Sequence, residues 1–346
     1  MVNEDAFGQF VARVRAEVDA RLGPWLDARV ARARARGSDV ETVADAVRSL
    51  VVRGGKRMRA VLLAASFEGC GGEGGSLAVA AAGASLELLQ AYLLIHDDWM
   101  DGDDVRRGGP SVPAMMRERL AGHADAASIL AGDLAAAWAQ EALLELELPP
   151  ARVLLAAREL ARVEEEVIHG QVLDVRSRAA DAHEVEAVHA LKTASYTVRG
   201  PVVMGARLAG ASEVQVTALA AFAAPLGVAF QLRDDVLGTF GDARATGKPA
   251  GSDLRKGKRT AVVVEASADA SAAEALGRVL GRRDASAEEH AAAVAAIEAS
   301  GARARVEARI AVLTGEARAA LERAELAPVG RGLLERAVVA LTERES

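Results

Sequence analysis

Apolar residues recur at the spacing of an α-helix through nearly the whole chain, and no stretch shows the period of two that marks a half-buried strand. That rhythm restricts the fold to helices packed on helices. Aromatic residues make up 3% of the sequence and hydrophobic residues 51%, so alanine, leucine and valine must fill the interior. These residues favour helices and let their axes approach closely. The spacing predicts helices over 4–34, with a break near Gly23-Pro24, and over 39–51, 55–69, 76–101, 124–147, 151–178, 183–208 and 213–240. Alanine-rich helices follow residue 260, and the glycine- and charge-rich stretch 241–259 reads as a functional loop. No linker or short repeat interrupts the pattern, so residues 1–346 read as a single all-α domain.

Charge and cysteine use exclude several classes of function. A net charge of −7 argues against nucleic acid as the main partner. Cys70, alone in the chain, excludes an internal disulfide and a cysteine-based zinc site, and reads as a small core or loop residue. No signal-peptide pattern opens the sequence, and no uncharged apolar run reaches the roughly 18 residues of a membrane span. The expectation is a cytoplasmic protein with no membrane span. The arginines at 29, 32, 34 and 36 read as a solvated helix face.

Two aspartate clusters end apolar helical stretches. The first is His96-Asp97-Asp98-Trp99-Met100-Asp101 and the second Gln231-Leu232-Arg233-Asp234-Asp235. Carboxylates at such density repel unless a cation lies between them. Asp97 and Asp101 are four positions apart, so a helix stacks them on one face about 6 Å from each other. Asp98 points roughly 100° away and is better placed to support than to ligate. Magnesium takes oxygen ligands and shares its shell with substrate phosphates, so the two clusters suggest a metal–diphosphate clamp.

Basic, glycine-containing stretches accompany the acids. Gly54-Gly55-Lys56-Arg57-Met58-Arg59 opens a helix, with Lys56 and Arg59 one turn apart, and Arg106-Arg107-Gly108-Gly109 follows the first cluster. Together they offer more positive charge than one diphosphate needs, which suggests two anions, one held through metal and one held directly. Only five of 42 cationic residues are lysines (Lys56, Lys192, Lys248, Lys256 and Lys258), and Lys56, Lys248, Lys256 and Lys258 fall in these motifs or in the loop before residue 260. A retained lysine suits a site that needs a compact ammonium.

In order, these motifs resemble those of the trans-type polyprenyl diphosphate synthases. The series is GGKRMR at 54–59, LLQAYLLIHDDWMD at 88–101, RRGGPSV at 106–112, GD at 132–133, GQxxD at 170–174, KTASY at 192–196, QLRDD at 231–235 and TGKPAGSDLRKGKRT at 246–260. The resemblance implies an all-α isoprenoid-synthase-like bundle around a deep central cavity, usually a homodimer. It implies a prenyltransferase that condenses isopentenyl diphosphate with allylic diphosphates. Asp97, Asp101 and Asp234, supported by Asp98 and Asp235, would hold three Mg²⁺ ions on the allylic diphosphate. Arg106, Lys192, Lys248 and Lys258 would hold that same group. Lys56, Arg59, Gln90 and Arg107 would bind the diphosphate of isopentenyl diphosphate. Thr193 and Gln231 would flank the new carbon–carbon bond, and Gln171 and Asp174 would line the allylic wall. In the family a bulky residue five positions before the first aspartate limits the product. Tyr92 there, with Leu93 next to it, points to geranylgeranyl diphosphate, with farnesyl diphosphate as the alternative.

The sequence departs from the family pattern at two points. Gly238 stands where many members carry a third aspartate, with Asp242 as a distant substitute, and Pro113 replaces a common histidine. His96 reads as a structural hydrogen-bonding residue. Two other readings stay open. A terpene cyclase would leave GGKRMR and RRGG without a purpose, and a non-catalytic partner subunit would not need both intact aspartate clusters.

Overall fold

The computed structural model describes residues 2–72, 76–176, 181–241, 251–282 and 284–343. The all-α expectation holds. The only strands among the described residues are β1 (Val105–Arg106) and β2 (Gly109–Pro110), a two-residue antiparallel pair. The chain divides into two compact units. One gathers Met1–Leu160, Pro201–Ala211 and Leu326–Arg331, and the other Ala161–Gly200, Ser212–Glu325 and Gly332–Ser346.

The first unit is built on α1 (Glu4–Arg34), α2 (Ser38–Val52), α3 (Met58–Gly69), α4 (Ser76–Asp101), α5 (Val112–Arg119) and α6 (Ala124–Leu144). Asn3 caps α1 by accepting the Ala6 N–H at 2.8 Å. No break follows Gly23-Pro24: α1 runs through Pro24 to Arg34. Pro24 and Ala20 are both exposed, so the hydrogen bond that proline cannot make lies on the wet side. Leu22, Trp25 and Leu26 are buried and hold the two halves in line. Arg29 also departs from the solvated face expected of it. Its guanidinium stacks 3.7 Å from the Trp25 ring centre and bonds Glu145, and Arg32 pairs with Glu141.

Helix α4 packs most extensively against α6. Its buried side chains include Ala80, Ala81, Ala82, Ala84, Leu86, Leu88, Leu89, Ala91 and Ile95. Each large one contributes about 1.5–3 kcal/mol on burial. Helices Leu77–Asp101 and α10 (Glu213–Phe240) are long and apolar enough to cross a membrane by composition, yet 78% of the most apolar stretch of the former is buried in protein.

In the second unit α7 (Pro150–Val175), whose first turns belong to the other unit, leads to α8 (Ala182–His189). The chain is helical throughout 182–209, as expected over 183–208, but its winding changes in the middle. Ala190–Arg199 is wound as a π-helix, in which the Gly200 N–H bonds the Ser195 carbonyl, and α9 (Gly200–Ala209), which follows, belongs from Pro201 onward to the first unit. Ser212 and Gln215 form a capping box at the start of α10. Short helices α11 (Ser252–Arg255), α12 (Ala261–Ala266), α13 (Ala270–Val279) and α14 (Ala287–Ala299) follow, then α15 (Ala302–Arg323) and α16 (Pro328–Thr342). The core of this unit lies where α10 packs along α15 and along the π-helix.

Candidate active site

The last turns of α4 carry the first aspartate cluster. Asp97 is half-buried and Asp101 exposed, whereas Asp98 is fully buried. Arg106 on β1 donates from Nε to Asp98 Oδ1 at 2.8 Å and from Nη2 to the same oxygen. Nη2 also reaches Asp103 Oδ2 at 3.3 Å and lies 3.9 Å from Asp97 Oδ2. Burial pushes the Asp98 carboxyl up to about 6, against the pull of Arg106. Asp98 Oδ2 is buried and accepts no hydrogen bond, which leaves one acceptor of the cluster unsatisfied. Arg106, expected to hold the allylic diphosphate, is here paired with the acids of the cluster.

His96 supports the helix. One ring nitrogen lies 3.0 Å from the Ile129 carbonyl, and the ring meets that of Tyr92 edge-on at 4.9 Å. Tyr92 is buried and Leu93 half-buried.

Arg107 and Gly108 are the two turn residues between β1 and β2, and both have positive φ, 51° and 69°. That is the geometry of a tight hairpin turn whose twist matches its strands. Arg53 fastens the hairpin by donating Nη1 to the carbonyls of Arg106 at 3.0 Å and Pro110 at 2.7 Å. The turn places Arg107 Nη2 2.9 Å from Gln90 Oε1, so two of the residues expected at the isopentenyl diphosphate site are in contact. Lys56 is exposed before α3, which begins at Met58, later than expected. Arg59 lies in the first turn of α3, half-buried, and acts electrostatically on Arg107.

Between these cations lies a residue that the sequence reading passed over. Arg57, in left-handed conformation at φ 52°, is 3% exposed. It bonds Asp19 at 2.9 Å, the Val51 carbonyl at 3.1 Å and the buried Glu87. Burial works against its charge, but Glu87 and Asp19 outweigh that and its pKa rises. A signal was available: Glu87 is the only charged residue in the stretch 76–95.

In the second unit, Gln171 and Asp174 lie on α7, and Lys192 Nζ pairs with Asp174. Lys192 and Thr193 are half-buried residues of the π-helix. Gly170 makes this possible: a Cβ there would lie 2.7 Å from Lys192 Cα and 2.8 Å from its Cβ. On α10, Asp234 is exposed and Asp235 buried. Asp235 Oδ2 accepts the Ala261 N–H at 2.9 Å and lies 3.4 Å from His189 Nε2, and Oδ1 accepts from Gln231 Nε2 at 3.2 Å. Burial raises its pKa, and His189 with the two hydrogen bonds opposes the rise. Asp235 therefore ties α10 to α12 and orients Gln231, an internal position that suits support better than direct ligation. Gly238 is no simple gap. A Cβ at this position would collide with the Asp253 carboxylate, so an acid from α11 occupies the space beside it. Lys258 is exposed. Lys248 and Asp242 lie outside the described residues.

Half-buried Asp97 and exposed Asp101 in the first unit, and exposed Asp234 in the second, each present the carboxylate oxygen that a hard divalent cation takes. Among the described residues no three acidic, histidine or cysteine side chains converge as a ready cage.

The chain matches the family model described as polyprenyl synthetase over residues 40–297. It is 36% identical over 230 residues to a geranylgeranyl diphosphate synthase of Methanosarcina mazei, covering 65% of this chain and 68% of the relative. It is 34% identical over 242 residues to a short chain isoprenyl diphosphate synthase of Methanothermobacter thermautotrophicus, covering 68% and 70%. Among solved structures, it resembles the geranylgeranyl pyrophosphate synthase of Corynebacterium glutamicum complexed with isoprenyl diphosphate and magnesium. The TM-score is 0.88 at 35% identity, over 96% of this chain and 99% of that one. A polyprenyl synthase of Caulobacter crescentus complexed with calcium and isoprenyl diphosphate matches with a TM-score of 0.79 at 28% identity, covering 97% and 98%.

Proposed function

The chain belongs to the polyprenyl synthetase family and is a prenyltransferase, and from that premise we propose its reaction. It joins isopentenyl diphosphate to the allylic diphosphates of dimethylallyl, geranyl and farnesyl alcohols, and stops at geranylgeranyl diphosphate. One observation carries this reading: a directly cationic grip, Arg107 on Gln90 with Arg59 acting on it, stands in the same unit as the carboxylate pair Asp97 and Asp101. A grip that needs no metal, next to carboxylates suited to one, serves two diphosphates. A cyclase handles one.

In this reading three magnesium ions held through Asp97, Asp101 and Asp234 would neutralise the allylic diphosphate as it departs. Lys192 and Lys258 add compact positive charge to the same leaving group, where it stabilises the charge that develops. Lys192 is kept in register by Asp174 until substrate competes for it. Arg107, Arg59 and Lys56 hold isopentenyl diphosphate so that its double bond meets the allylic carbon as the C–O bond breaks. The Thr193 hydroxyl and the Gln231 amide offer oxygen dipoles to the passing positive charge. The departed diphosphate takes the proton lost when the new double bond forms. Tyr92, buried five residues before Asp97 on α4, would be the floor that ends growth at twenty carbons.

The test is mass spectrometry of products from purified protein given magnesium, isopentenyl diphosphate and each allylic primer in turn. Geranylgeranyl diphosphate should accumulate, and chelation by EDTA should abolish the activity. A hydrocarbon formed without isopentenyl diphosphate would refute the reading in favour of a cyclase.

A further inference from the structure

Glu87 has no part in the reaction as written, yet it sits at the electrostatic centre of the cationic grip. Its carboxylate is 1% exposed, on the same helix as Gln90 and nearly one turn earlier. One oxygen, Oε2, pairs with Arg57 and lies 3.8 Å from Arg107 Nη2. The other, Oε1, is buried with no hydrogen-bond partner. A buried carboxylate is costly unless matched by opposite charge, and here two guanidinium groups supply the match. The reverse also holds. Arg107 is a half-buried cation that Arg57, Arg59 and Arg106 all repel, and its partial burial together with that repulsion lowers its pKa. Glu87 is the acid that works in the other direction.

We propose that Glu87 is a positioning residue, the internal counter-charge that holds Arg57 and Arg107 together as a preassembled grip for the diphosphate of isopentenyl diphosphate. The inference rests on the proposed assignment of Arg107 to that substrate. Without Glu87, neighbouring guanidinium groups repel and Arg107, on a surface hairpin turn, is free to swing into water. Each binding event then has to reassemble the fork, and affinity falls by the cost of ordering it. An opposing effect exists, because a carboxylate near Arg107 also repels the incoming anion. Orientation prevails because Asp19 also balances Arg57 and Asp98 balances Arg106, so Glu87 leaves Arg59 and Arg107 in excess. The site stays cationic with it in place, while bidentate recognition needs a fixed guanidinium plane.

The experiment titrates inorganic diphosphate calorimetrically, without metal, into wild-type protein, Glu87→Gln and Glu87→Asp, and measures KM for both substrates. Glu87→Gln keeps the shape and loses the charge. It should weaken diphosphate binding and raise KM for isopentenyl diphosphate by about 10-fold. The allylic KM and kcat should stay within about twofold, and Glu87→Asp should recover most of the loss. Wild-type or tighter diphosphate affinity in Glu87→Gln overturns the proposal. Equal loss for both substrates that Glu87→Asp does not recover also overturns it, since that marks a merely structural role. Should Glu87→Gln fail to fold, Arg57→Lys takes its place. It keeps the charge but loses the fork, so it must show the same selective loss, and wild-type affinity refutes the link. The titration needs no turnover, so it decides the role of Glu87 even where the condensation reading fails.

Discussion

Gly170→Ala separates a helix residue from a residue that makes room for catalysis. In an ordinary helix interior the exchange stabilises by about 1 kcal/mol, because alanine loses less backbone freedom on folding. At Gly170 the new methyl would meet Lys192 Cα at 2.7 Å and Cβ at 2.8 Å, and its backbone nitrogen closer still. Carbon atoms rest near 3.5 Å, so the π-helix backbone would have to retreat by roughly 0.7 Å. Overpacking of this kind costs about 1–3 kcal/mol, which exceeds the helix gain and leaves a net loss of about 1 kcal/mol, or some 2 °C in Tm. The larger effect is on catalysis. Lys192 and Thr193 are the residues displaced, and a shift approaching 1 Å at a positioned group can cost about 100-fold in rate. Thermal unfolding and steady-state kinetics with farnesyl and isopentenyl diphosphates measure both effects, with an expected fall in kcat of about 10-fold or more. Gly277→Ala is the matched control: that glycine is helical, exposed and has nothing within 4 Å of its added Cβ, so it should gain stability and leave kcat alone. A Gly170→Ala enzyme with raised Tm and unchanged kcat would show that the π-helix yields freely and that Gly170 does not govern Lys192.

Tyr92→Ala removes the proposed floor and should shift the product beyond twenty carbons. Mass spectra of the hydrolysed products check this, and an unchanged spectrum excludes Tyr92 as the limit. Cys70 gives a pH test of the fold. Burial pushes its thiol up to about 11, although a Ser66 hydrogen bond opposes the rise. A raised thiol pKa means less thiolate at any pH below it, so native protein at pH 8 should react with iodoacetamide about 100-fold more slowly than an ordinary cysteine. The rate should climb about tenfold per pH unit up to about pH 10, and fast labelling of the folded protein at pH 8 would contradict the packing around α3.

Much of the site could be read in the sequence because its signals are local. Asp97 and Asp101 share a face by helical arithmetic alone, and α1, α4 and α10 end where caps and periodicity place them. The helical break expected at Pro24 fails because the lost bond faces water while Leu22, Trp25 and Leu26 are clamped by packing. Arg107 was singled out as a cation, but its hairpin turn was missed because Arg-Gly is not a strong turn signature. Arg57 and Arg59 look alike in GGKRMR. The buried acid Glu87, thirty residues further on, draws in the first.

By itself the sequence determined the helical architecture, the two acid clusters and the order of motifs, since each depends on residues within a few turns of one another. Only the tertiary structure decided which charges leave water. It buried Asp98 and Asp235, wound the π-helix against Gly170 and set Asp253 beside Gly238. Desolvation and close approach arise from segments that meet in space, and no local period records which segments those will be.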